Sequence, residues 1–330
     1  MALGQVKRAF WLGLGLLVVL ALVGASAFYL HPLEANDLKT RFHLWKQHVK
    51  SEYVQVDGYR IHYFEAKSPH FPGSAGDGRP LVLVHGLGSR GEDWSPLIPT
   101  LASQGFHVYA LDLLGYGRSP RPDVDYSIQL EEQTVVDFMQ AMHLGHADIA
   151  GWSMGGWIVL SLAVDHSELV DRLVIYDAPG IYFPPTFGNS LFTPTDTAGL
   201  LRLTSMLSPH PQPFPPFVAR AAIKRLQANA WILDRSVSSM TSGRDLLDFK
   251  LQKIDKPTLL VWGGADRLIP LSVGVTMHAR IPHSSLLVVD GCGHLAPAEC
   301  SRPVLRGTLK FLLAEPAIQG GESTVPGVRR

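Results

Sequence analysis

The chain has 330 residues, 46% of them hydrophobic, which is enough for a well-buried core and excludes disorder over most of its length. Its 29 Lys and Arg balance 29 Asp and Glu, so there is no basic field to gather nucleic acid and no acidic tail; a small or apolar partner fits this surface better. Cys292 and Cys300 form no CxxC pair and read as ordinary thiols that say little about redox compartment.

After Lys7 and Arg8, the run 9–30 carries no charge. At about 1.5 Å per residue a helix of that length crosses the roughly 30 Å hydrocarbon core of a bilayer, so a single-pass transmembrane anchor is expected. The rival is a secretory signal cleaved near Ala27, because Ala25-Ser26-Ala27 resembles an A-x-A site; the apolar core of such signals spans only about 7 to 15 residues. Lys7 and Arg8 argue for a cytoplasmic N-terminus, Lys39 and Arg41 weaken that asymmetry, and the remainder of the chain is expected outside the cytoplasm. Residues 31–52 mix charge with Phe42, Leu44 and Trp45 and read as a juxtamembrane connector. "YVQVDGYRIHYFEAK" (53–67) alternates and turns at Asp57-Gly58, the pattern of a β-hairpin, and a Gly/Pro/Ser loop follows over 68–79.

Apolar runs then alternate with helical patterns. Strands are predicted over 80–86, 107–115, 147–152, 172–178, 258–264 and 285–291, and helices near 95–103, 129–143, 154–165, 271–280 and 303–314. Aliphatic strands buried on both faces, separated by helices, mean a mainly parallel sheet with right-handed crossovers, an α/β fold whose core comprises 53–180 and 251–315. The rhythm breaks over 181–250, which holds eight of the 24 prolines and no strand-like run, while 217–234 looks helical. Phe183, Phe187, Phe192, Phe214, Phe217 and Trp231 give this segment apolar surface to bury, so it is read as a mainly helical cap over the sheet rather than a disordered linker. The last residues, 316–330, read as a flexible tail.

Within this frame, "GWSMGG" (151–156) follows a strand and opens a helix. Such a turn forces Ser153 into a strained conformation, tolerable only if its neighbours at minus two and plus two, Gly151 and Gly155, lack bulk. A serine hydroxyl is a weak nucleophile until a base takes its proton, and that base needs a carboxylate to orient it. Asp266 and His294 supply both, each just past a strand end, in the order Ser, Asp, His. Asp177, which ends the 172–178 strand, is the second candidate for the acid. Trp152, beside the serine, and His85 are expected near the pocket, whereas Trp157 is expected to pack against the sheet.

With "HGLGS" (85–89), "DLLGYGRS" (112–119), "GGADRLIP" (263–270) and "GCGHLAPAE" (291–299) in order around "GWSMGG", the chain resembles the α/β-hydrolase family in its capped, lipase- or esterase-like branch, over about residues 53–314. The resemblance implies Ser153 as nucleophile, His294 as general base, Asp266 as orienting acid, and an oxyanion hole from the backbone N–H groups of Leu87 and Met154. It implies hydrolysis of carboxylic esters through an acyl-enzyme, with no cofactor or metal, and the apolar cap and anchor suggest an acyl-chain or monoacylglycerol-type substrate. C–C hydrolases of ring-cleavage products, cofactor-free peroxidases and a non-catalytic binding protein on the same fold remain alternatives.

A dinucleotide-binding reading competes, because "GLGSRG" (86–91) is a literal GxGxxG after a strand and Asp112 lies about twenty residues on. Glu92 and Asp93 argue against it, since two negative charges where the helix begins oppose the dipole that attracts phosphate. Metal chemistry has no support: the fourteen histidines include no HExxH.

Overall fold

The computed structural model describes Gln5, Trp11, Gly13, Leu14, Leu17, 23–68 and 78–327. Most of the expected anchor, 9–30, therefore lies outside the described residues. Among the described residues no helix is long and apolar enough to cross a membrane. Residues 23–30 are helical and lead into α1 (Pro32–Lys46), the expected connector.

Strand β1 (Lys50–Val56) turns into β2 (Tyr59–Ala66) through Asp57 and Gly58, whose φ values of 42° and 79° are the paired positive angles of a tight hairpin. Strands β3 (Arg79–Val84), β4 (Phe106–Leu111), β5 (Ala147–Trp152), β6 (Val170–Tyr176), β7 (Thr258–Gly263), β8 (Ser284–Asp290) and β9 (Glu322–Pro326) complete a nine-stranded sheet of order β1-β2-β4-β3-β5-β6-β7-β8-β9. The pairings β1/β2 and β2/β4 are antiparallel and all others parallel. Every residue of β4, β5 and β7 is buried, as both-face-covered strands require. Helices α3 (Ile128–Ala141), α4 (Met154–Asp165) and α8 (Leu271–Arg280) pack one face; α2 (Ile98–Ser103) and α10 (Ser301–Leu312), with Leu44 of α1, pack the other.

The chain leaves β3 toward β4 on one side and returns to β5 on the other. This reversal leaves a crevice beyond the C-terminal ends of β3 and β5, where Val84 pairs with Gly151. Residues 181–250 cross over that end as α5 (Thr197–Leu207), α6 (Pro216–Ala228) and α7 (Ala230–Thr241).

Three expectations need correction. The helix predicted over 217–234 is two helices, broken at Asn229, whose side-chain amide donates to the Arg225 carbonyl at 3.0 Å while its Oδ1 accepts from Arg121 Nε at 3.1 Å. The segment read as a flexible tail carries β9, which pairs with β8 from Leu286↔Glu322 to Asp290↔Pro326 after a turn through Gly320 and Gly321. Cys292 and Cys300 are not thiols but a disulfide, because α9 (Ala296–Glu299) folds the loop after β8 back on itself.

Candidate active site

Ser153 ends β5 and precedes α4 with φ 56° and ψ −124°, a left-handed conformation that a non-glycine residue adopts only where the surroundings enforce it. The enforcement is steric and hydrogen-bonded. A Cβ on Gly151 would meet the Gly155 carbonyl oxygen at 2.3 Å, and one on Gly155 would meet the carbonyl oxygens of Val84 and His85 at 2.3 and 2.4 Å. The Ser153 N–H donates to the Tyr176 carbonyl at 2.9 Å, which pins the turn to β6. Ser153 Oγ is thereby held above the sheet edge, beside the N-terminus of α4, where the first N–H groups of a helix lack intrahelical acceptors.

His294 and Asp266 complete a chain of hydrogen bonds. His294 Nε2 lies 2.9 Å from Ser153 Oγ, and its Nδ1 lies 2.8 Å from Asp266 Oδ2. The other carboxylate oxygen of Asp266 accepts the backbone N–H groups of Leu268 and Ile269 at 2.8 and 3.0 Å, so the acid is fixed in rotation and His294 is held in one orientation. The disulfide brackets the histidine loop, and Trp152 Nε1 donates to the His294 carbonyl at 2.9 Å. Both side chains are buried, which strengthens the interaction among them.

Asp177 sits beside this pair at the end of β6, also with positive φ (45°), and its Oδ1 accepts the Gly263 N–H at 2.7 Å. Burial, then the neighbouring charge of Asp266, push its carboxyl well above the usual range. It reaches Asp266 and not His294, and this geometry gives the orienting position to Asp266.

The loop after β3 passes over the serine. A Cβ on Gly86 would stand 2.9 Å from Ser153 Cβ, so only glycine lets the backbone approach the serine this closely. His85, expected near the pocket, lines neither cavity. Its Nε2 accepts the Leu113 N–H at 3.0 Å, its Nδ1 faces the Gly86 carbonyl at 2.8 Å, and burial lowers its pKa; it is a neutral strut beneath the loop.

Two cavities meet at Ser153, and Leu87, Phe192 and Leu268 line both. The first, about 460 Å³, is bordered by Asn36 and Thr40 of α1, by Arg90, Trp152, Leu203 and His294. The second, about 310 Å³, runs under the cap between Trp157, Phe183, Phe187, Val237, Met240 and Ile269. Trp157, expected against the sheet, thus walls a cavity, with its Nε1 donating to the Asp245 carbonyl at 2.9 Å. The connector's contribution had no signal in the sequence, because Asn36 and Thr40 are ordinary helix-surface residues until the fold brings them to the serine.

The dinucleotide reading fails on Asp112. Its Oδ1 accepts the Gly91 N–H at 2.7 Å, and its Oδ2 takes the Arg118 N–H at 2.8 Å and faces His62 Nδ1 at 2.7 Å, so the carboxylate is buried and engaged within the protein. Among the described residues no group of three or more His, Cys, Asp or Glu could hold a metal ion.

The model of the Alpha/beta hydrolase family matches residues 81–306. The chain belongs to this family. Among curated relatives of this hydrolase, the 2-hydroxymuconate semialdehyde hydrolase of Pseudomonas putida is 31% identical over 263 residues, 74% of this chain and 90% of that protein. The 2-hydroxy-6-oxo-6-(2'-aminophenyl)hexa-2,4-dienoic acid hydrolase of Metapseudomonas resinovorans is 28% identical over 274 residues, covering 79% and 90%. Among solved structures, a membrane phospholipase A described as a bacterial virulence factor superposes with a TM-score of 0.75 at 26% identity, covering 92% of this chain and 98% of its own.

Proposed function

We propose that this hydrolase cleaves neutral carboxylic esters of apolar acids through an acyl-enzyme. The observation that carries the reading is Ser153 Oγ, 2.9 Å from His294 Nε2, at the junction of two mostly apolar cavities. His294 takes the hydroxyl proton as Ser153 Oγ adds to the ester carbonyl, and the oxygen that becomes negative is received by the Leu87 and Met154 N–H groups. The tetrahedral intermediate collapses, the C–O bond to the alcohol breaks, and His294 returns the proton to the departing alkoxide. Water, deprotonated by the same imidazole, adds to the acyl-enzyme, and the carboxylic acid leaves as Ser153 recovers its proton. The second cavity fits the acyl chain and the first the alcohol.

A second reading, hydrolysis of a C–C bond in a ring-cleavage product, is favoured by the two curated relatives. Against it, such a dienoic acid carries a carboxylate, and Arg90, the one Arg or Lys among the described residues lining the two cavities, is already bound to Asp37. The two readings separate in one experiment: kcat/KM on p-nitrophenyl esters from acetyl to dodecanoyl and on 2-hydroxymuconate semialdehyde, with Ser153→Ala and fluorophosphonate labelling alongside. The ester reading expects kcat/KM to rise from acetyl to a medium chain, and Ser153→Ala to lose at least about 10³-fold. Faster turnover of the semialdehyde overturns it in favour of the second reading, and equal lack of labelling in wild type and Ser153→Ala overturns both.

We further propose that the chain works at a membrane, with its catalytic part outside the cytoplasm. Leu38, Phe42 and Trp45 recur along one side of α1 and are 67%, 57% and 68% exposed, and the uncharged run 9–30 precedes them in the sequence. Lys39 and Lys46 flank them, the pairing of apolar and cationic side chains suited to a lipid interface. The Cys292–Cys300 bond supports the compartment, since disulfides persist where the surroundings oxidise.

A further inference from the structure

Asp37 lies in the middle of α1, a helix with solvent on one side, yet it is only 6% exposed. Two guanidinium groups cover it. Arg90 places Nη2 2.6 Å from Oδ1 and Nη1 3.2 Å from Oδ2; Arg225 places Nη2 3.1 Å from Oδ2 and Nη1 3.4 Å from Oδ1. Burial alone would raise the Asp37 pKa, but the two guanidiniums outweigh it and hold the carboxyl below the usual range. The three residues come from three parts of the chain: the connector helix, the loop after β3, and the last turn of cap helix α6. Arg90 stands three residues after Leu87, and α1 also walls the first cavity through Asn36 and Thr40. A second tie, Arg41 Nε to Glu92 Oε2 at 3.3 Å, joins the same helix to the same loop.

The geometry points to Asp37 as a positioning residue for acyl transfer. Through Arg90 it fixes the loop that carries the Leu87 N–H, and through Arg225 it fixes the cap wall of the cavity that receives the alcohol. The connector helix is therefore part of the catalytic unit and not merely a tether. The argument rests on the serine-hydrolase reading above. It requires no proton movement at Asp37, which stays ionised throughout. An oxyanion hole stabilises charge only where its donors already stand at the position of the developing oxyanion, and a displacement of about 1 Å can cost about 10²-fold in rate. Removing the charge of Asp37 takes away the carboxylate that both guanidiniums share, leaving Arg90 to Glu92 and Asp93 of its own loop and Arg225 to Glu34, so the direct tie between loop and cap is lost.

The two arms of the clamp predict different kinetic signatures. In the full-length chain in detergent micelles, with a medium-chain ester, Arg90→Gln should lower kcat by about 10- to 100-fold with KM changed less than about threefold. Arg225→Gln should instead raise KM with kcat nearly retained, and Asp37→Asn should show both effects. The affinity of Asp37→Asn for an alkylboronic acid, which adds to Ser153 as a tetrahedral mimic, should fall in step with kcat/KM. Asp37→Glu, which keeps the charge, should recover most of the loss.

If Ser153→Ala abolishes turnover while Asp37→Asn and Arg90→Gln keep kcat within about twofold of wild type, the positioning role is overturned. If Ser153→Ala itself retains turnover, the underlying serine reading fails instead. Should Asp37→Asn not fold, Arg90→Gln and Arg225→Gln decide the matter: a split between kcat and KM supports the clamp, and equal or reversed effects overturn it.

Discussion

At the scale of single residues, the site contains two buried acids that differ in what they touch. Asp266 spends one oxygen on His294 and the other on two backbone N–H groups, whereas Asp177 touches Gly263 and its fellow acid. Asp266→Ala should therefore lower kcat by roughly 10³- to 10⁴-fold, because the imidazole loses both its orientation and the charge that stabilises its protonated form. Asp177→Asn, which preserves the shape and the Gly263 contact without a carboxylate, should stay within about tenfold of wild type. Steady-state kinetics on a soluble ester checks the pair, and a reversal of the ranking would return the orienting role to Asp177. Ser153, Asp266 and His294 were legible in the sequence because each stands immediately after an aliphatic run, where strand ends deliver side chains to one edge. Asp37 was not. An acid in a charged amphipathic segment carries no mark of burial until two arginines, 53 and 188 residues away, fold over it.

At the scale of elements, α3 holds a group that makes stability depend on pH. Glu131 is fully buried near Tyr116 and Tyr126; its Oε2 accepts the Leu114 N–H at 3.2 Å, and its Oε1 has no partner. Burial pushes its pKa well above the ordinary carboxylate value. The native state thus holds this proton more tightly than the unfolded chain does. Its contribution to stability is full below the unfolded pKa of about 4.3 and is lost as pH rises through the folded value. Glu131→Gln, which cannot ionise, should flatten that loss, so its urea midpoint relative to wild type should be higher at pH 8 than at pH 5. A tenfold change in proton affinity is worth about 1.4 kcal/mol, enough to move a midpoint by about half a molar when m is about 3 kcal/mol/M. An unchanged difference between the two pH values would contradict the account.

Elements also differ in how plainly they were written in the sequence. The buried strands β3 to β8 are continuous aliphatic runs that little else explains. β9 is a polar "ESTVP" whose place is secured by backbone pairing to β8, and backbone pairing leaves no side-chain pattern to read. The break at Asn229 interrupts an unbroken helical pattern with no Pro or Gly to mark it, because it is set by the Asn229 side chain, which bonds the Arg225 carbonyl locally and Arg121 across the fold.

At the scale of the whole molecule, α1, which follows the uncharged run in the chain, carries an exposed apolar side and also walls the first cavity through Asn36 and Thr40. The full-length protein should pellet with membranes after both high-salt and carbonate washes, and a chain beginning at His31 should be released by salt or carbonate. Recovery of a natural product starting near Phe28 would mean that the leader is cleaved, and the anchor would be withdrawn.

The reversal of strand order between β3 and β5 has a kinetic meaning as well. In the proposed acyl transfer one oxyanion donor is drawn from the loop after β3 and the other from the turn after β5, while His294, which lies against Ser153, follows it by 141 residues. Loop closure over such separations makes these contacts slow to form, and no hairpin or helix–strand pair contains enough of the site to turn over a substrate. Regain of activity on refolding is therefore a clock for the closing of the whole sheet, running behind any signal that reports helix content alone.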